Sequence, residues 1–251
     1  MHPEPTSSTS ADPLFFDYDA APAGDPRRFA DPIRADLVLA HRRAWERLVA
    51  PGTWWTGPER LAIAAASRTA VDCAFCQARK AALSPMSVEG EHDGSGADAL
   101  PPAALDAVHR IVTDATRLSK PWVEGLAAMG VPDTHYVELL SVVVSVRSID
   151  MFHQALGLDL EPLPEAGSGP ASGEPPRRRP APLVEGEAWV PMLPARIQSG
   201  EYADLFPQPT APFVIRALSL VPEAVVWLKD LSSAHYLDVD RGEMMDFGPN
   251  D

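Results

Sequence analysis

Cys73 and Cys76 are the only cysteines among 251 residues, and they stand together as Asp72-Cys73-Ala74-Phe75-Cys76. Chance scatter would rarely place two such residues three apart. At the opening of a helix this spacing brings two sulfurs within disulfide reach, and the helix N-terminus draws a thiol pKa down towards neutrality. A working dithiol needs an attacking thiolate, a resolving thiol and a proton relay. Cys73 and Cys76 meet the first two needs by spacing. Arg79 and Lys80 follow Cys76 by three and four residues, near its face of a helix, where a cation favours the thiolate. Glu59, Glu89, Glu91 and His92 are the nearest titratable groups for the relay.

Two other readings of the pair stand beside this one. The thiols can be small, inert core residues of an Ala-rich helix. They can also be half of a zinc site, whose other ligands would have to come from Glu91, His92, His109, His135 or His153. No second C-x-x-C and no H-x-x-x-H accompanies them, so the sequence calls for no metal and no cofactor. A Gly-rich phosphate loop is absent, and Gly94-Ser95-Gly96 lacks the strand and helix of a nucleophile elbow.

The composition narrows the partners. Apolar residues make up 45% and charged residues 22%, enough to build a hydrophobic core. Thirty-five acidic against 21 basic residues leave a net charge of −14, which repels phosphate backbones and anionic lipid, so neither nucleic acid nor membrane is expected as a partner. No apolar run approaches the ~20 residues of a membrane span. The start, Met1-His2-Pro3-Glu4-Pro5, has no signal-peptide pattern, and two cysteines in one motif suit a reducing cytoplasm.

The elements that must position the thiols read as helices. Residues 1–34 form a Pro- and Ser-rich tail, 35–160 a helical domain, 161–188 a Pro/Gly/Arg-rich linker, and 189–251 a C-terminal helical segment. Leu37, Leu39, Ala40, Ala44, Trp45 and Leu48 mark a first helix that ends before Pro51-Gly52. Thr56 and Pro58 begin a second, with Thr56 as its N-cap. Whether it runs through to the cysteines or a new helix starts at Asp72-Cys73 stays open. Helical spacing resumes at Leu105, Val108, Ile111 and Val112, then at 122–129, and a long apolar helix runs from Pro132-Asp133 to Leu156. One more helical segment spans 212–235. The Arg177-Arg178-Arg179 run reads as part of a solvated connector. The C-terminal segment faintly echoes the first domain, as if a second repeat began and stopped near Met244-Met245.

Glu59-Arg60-Leu61-Ala62-Ile63-Ala64-Ala65-Ala66, a short spacer, Cys73-Ala74-Phe75-Cys76 and an Ala-rich helix resemble the alkylhydroperoxidase D / carboxymuconolactone decarboxylase family. Gly130-Val131-Pro132-Asp133 with Tyr136-Val137-Glu138-Leu139-Leu140 is similar to that family's closing helix, so the resemblance covers residues 36–160. It implies an all-α fold assembled as a homo-oligomer, a trimer or hexamer, and a dithiol that reduces a hydroperoxide or other small molecule and is recycled by a dithiol reductant protein. It implies Cys76 as the attacking thiol and Cys73 as the resolving one. The family's relay His falls where this chain has Phe75 or Lys80, and its relay Glu falls at Leu61, two residues from Glu59. Glu91 or His92 is then the replacement relay. The contrasting expectation is a helical assembly or ligand-binding module that keeps the fold without the chemistry.

Overall fold

The computed structural model describes residues 33–92, 98–173, 180, 183–186, 188–197, 202–205 and 212–236. The expected tail (all but its last two residues), the Arg177–Arg179 run and Met244-Met245 lie outside them. Among the described residues the chain is all-α. Eight α-helices are joined by 3-10 turns and loops, and one isolated antiparallel bridge pairs Val184 with Met192. No described helix is long and apolar enough to cross a membrane.

Helix α6 (Asp133–Ala155) is the axis. Its valines would suit a strand, but the 3.6-residue period places Val137, Leu139, Val142, Val143, Val146 and Ile149 in the core, each almost wholly buried. Each such side chain contributes about 1.5–3 kcal/mol relative to exposure. Helix α2 (Gly57–Thr69) packs on α6 and buries Ile63, Ala64 and Ala66 in the core, and α4 (Pro102–Asp114) packs on α6 and buries Ala104, Ala107 and Val108. The alanines let these helices approach closely. Helix α1 (Ala35–Val49) lies beside α2, and the short α5 (Lys120–Ala128) packs against α6.

One ion pair is built into this core. Arg60 of α2 donates from Nε and Nη2 to Glu138 Oε1 of α6 at 2.8 and 2.6 Å, and from Nη1 to the Arg47 and Ala50 carbonyls. Glu138 Oε2 accepts from the Trp54 backbone N–H. Burial pushes the guanidinium pKa down and the carboxyl pKa up, while each charge opposes the other's shift. Gly52 lies flush against the pair, where a Cβ would collide with both partners.

The segment expected as one helix over 212–235 is two. Helix α7 (Phe213–Arg216) ends before Pro222, which opens α8 (Pro222–His235). Helix α8 covers α1 and α6. The first part of the expected linker is no solvated connector: Glu161 is buried, accepting from Trp45 Nε1, and the Gly167 and Ser172 N–H groups bond the Val49 and Gly52 carbonyls.

Where α8 meets α1, His41 Nε2 and His235 Nε2 stand 2.9 Å apart, with His153 and Glu161 close behind. Burial, reinforced by His235, pushes His41 down to about 4, and burial also lowers His235. Both pKa values fall on folding, so this pair contributes stability above the ordinary value of 6.5 and loses it as pH drops towards about 4. His153 works the other way. Burial alone would lower it, but Glu161 and the Asp159 carbonyl hold it up, so it stabilises in acid and partly offsets the loss. His41→Gln is expected to flatten the acid limb of stability between those values by about 3 kcal/mol at most. Urea unfolding at several pH values checks this, and an unaltered slope would remove His41 as its source.

Candidate functional site

The dithiol is held where α2 gives way to α3. Helix α2 ends at Thr69, a 3-10 turn covers Ala70–Asp72, and α3 runs Ala74–Ala81 with Cys73 as its N-cap. A separate helix therefore starts at the motif. Cys73 and Cys76 lie one turn apart on the face turned towards α4, both buried and neither joined in a disulfide. Arg117 anchors the far end of α3 by donating to the Arg79, Lys80 and Ala82 carbonyls, which satisfies its terminal acceptors.

Two imidazoles converge on the sulfurs. His92 arrives on the loop after α3, and its Nδ1 lies 3.5 Å from Cys76 Sγ and 3.9 Å from Cys73 Sγ. Gly90 permits this path, since a Cβ there would stand 2.6 Å from the Phe75 ring. His109, on the buried face of α4, places Nδ1 3.4 Å from Cys76 Sγ. The two imidazole centroids are 4.1 Å apart. All four ligand-capable atoms lie within 4.8 Å of one another.

Asp106, one turn before His109, supports the group from behind. Its Oδ1 meets His92 Nε2 at 2.9 Å and also pairs with Arg79, whose guanidinium lies 4.1 Å from the Phe75 centroid. Burial alone would lower the His92 pKa, but the Asp106 and Cys73 contacts more than reverse this and raise it. Burial likewise opposes the charge on Asp106, and His92 and Arg79 together hold its carboxyl below the usual range. The helix N-terminus does not win at Cys76: burial, with the Cys73 sulfur beside it, pushes that thiol up to about 12 against the weaker help of Thr113 and Arg79. The proton therefore stays on Cys76 until a base removes it.

Of the residues expected at the site, the structure gathers Cys73, Cys76 and His92. It leaves two out. Lys80 is exposed at the end of α3, and Glu59 closes a capping box with Thr56 at the start of α2. Glu89 and Glu91 are exposed, the His135 ring lies tilted against Trp54, and His153 binds Glu161. Asp106 escaped the sequence reading altogether. His109 entered it only as a zinc-ligand alternative. Their shared signal is a pair of polar residues, three apart, within the amphipathic pattern of α4. No family model, no curated protein and no solved structure matches this chain.

Proposed function

We propose that the chain is a dithiol oxidoreductase of the alkylhydroperoxidase D / carboxymuconolactone decarboxylase type, with His92 as its proton relay. The observation that carries this reading is the line Asp106–His92–Cys76: a carboxylate holds one imidazole nitrogen while the other faces a thiol 3.5 Å away. This is the arrangement that activates a weak nucleophile through a base and an orienting third group. Neutral His92 takes the proton from Cys76, and Asp106 stabilises the imidazolium that forms. The thiolate attacks the outer oxygen of a hydroperoxide, the O–O bond breaks, and His92 returns the proton to the departing alkoxide. Cys76 sulfenic acid then condenses with the Cys73 thiol, releasing water and forming the disulfide. A dithiol reductant protein restores both thiols.

Both sulfurs are buried and contacted by His92, so this reading requires an opening at the site that admits substrate. The proposal extends to the cytoplasm as the site of action and to a trimer or hexamer as the assembled form.

Stopped-flow mixing of reduced, metal-free protein with cumene hydroperoxide tests the chemistry. Saturable formation of one disulfide per chain is expected, absent in Cys76→Ser and slowed about 10²–10⁴-fold in His92→Asn. Oxidation of the native chain no faster than a free thiol at the same pH would overturn it.

A further inference from the structure

We propose that Cys73, Cys76, His92 and His109 together bind one zinc ion as a closed tetrahedral Cys2His2 centre. With zinc–sulfur bonds of about 2.3 Å and zinc–nitrogen bonds of about 2.0–2.1 Å, tetrahedral angles set each sulfur roughly 3.6 Å from each nitrogen. Three of the four sulfur–nitrogen separations are 3.4, 3.5 and 3.9 Å, and all four donor atoms lie within 4.8 Å of one another. The donors approach from three directions: the start of α3, the loop after it, and the middle of α4.

Charge and surroundings agree. Two thiolates and two neutral imidazoles balance a divalent ion, and Arg79 pairs with Asp106 beside them. A mixed pair of sulfur and nitrogen donors in tetrahedral array suits zinc above the hard cations, which want oxygen. Asp106 on the outer nitrogen of His92 supplies the carboxylate–histidine–metal arrangement that orients a ligating imidazole. Cys73, Cys76 and His109 are each no more than 2% exposed. All four positions are filled by the protein, as in sites that hold structure and not those that keep a place for water.

A closed centre also guards the dithiol. Oxidation of both thiolates by one hydroperoxide takes up two protons, gives the disulfide, alcohol and water, and frees the ion. This release step rests on the dithiol reading, whereas binding of the ion does not.

The full chain, reduced and stripped of metal, is titrated anaerobically with Co2+ and then Zn2+. The expected result is the intense visible absorption of tetrahedral cobalt with thiolate charge transfer, saturating at one ion per chain and bleached by zinc. Cys76→Ser and His109→Gln should lose affinity beyond the roughly 10–100-fold of an outer-shell change, while His135→Gln should bind as the native chain does. Circular dichroism identifies any variant that fails to fold, and the native titration then decides alone. A weak octahedral spectrum, no saturation, or native affinity in folded His109→Gln would overturn the proposal. Metal binding without peroxide oxidation of the stripped protein defeats the redox reading only, and oxidation without metal binding defeats this one only.

Discussion

Glu138→Gln is expected to destabilise the protein by about 3–5 kcal/mol, because it strands a buried guanidinium. Arg60 is 1% exposed and Glu138 is fully enclosed. The Arg47 and Ala50 carbonyls would still accept from Nη1, but Nε and Nη2 would face a neutral amide in place of a carboxylate. The Trp227 ring, 4.3 Å from the guanidinium carbon, offers only a weak substitute. Nor can water easily follow, since Gly52, Trp54 and the Trp54 N–H close the space. Denaturant unfolding measures the loss. The double variant Arg60→Met/Glu138→Leu provides the contrast, with much of the stability returning once neither charge is buried. A Glu138→Gln cost under about 1 kcal/mol would mean that the pair is replaceable by its neighbours.

Asp106→Asn is expected to weaken zinc binding about 10–100-fold while the fold stays intact. The amide can still reach His92, but it brings no charge to make that imidazole a stronger donor, and Arg79 loses its counter-ion. Asp106 acts through His92 and so is a positioning residue. Its signature is a changed cobalt spectrum and a changed pH dependence of binding, both partly rescued by Asp106→Glu. Equal loss of unfolding stability and of affinity, with an unaltered spectrum, would instead mark it as simple packing.

The helices were legible because their signals are local: Thr56 and Pro58 mark the start of α2, and the apolar run after Pro132-Asp133 marks α6. The break before α8 is local too, for Pro222 sits inside the apolar pattern, yet the density of apolar residues around it reads as one helix. Of the site, only the sulfur pair was visible as a site, since its spacing lies within a single turn. His92 was noticed by proximity alone. His109 and Asp106 come 33 and 30 positions after Cys76, and only the packing of α4 on α3 makes them its neighbours. Glu59 illustrates the converse. A carboxylate near the motif in sequence is spent on a helix cap, which the Thr-x-x-Glu spacing itself announces.

The position of α8 has a consequence for how the protein is made. His41 waits for His235, 194 positions later, and Arg43 and Arg47 wait for Asp230, while the rest of α1 already rests on α2 and α6. At a synthesis rate of roughly 5–20 residues per second, the His41 side of α1 waits about 10–40 s for its cover. For that interval a histidine whose neutral form the fold requires stands in water and titrates there. Among the described helices, the last to emerge is therefore the one that fixes His41 in its neutral form.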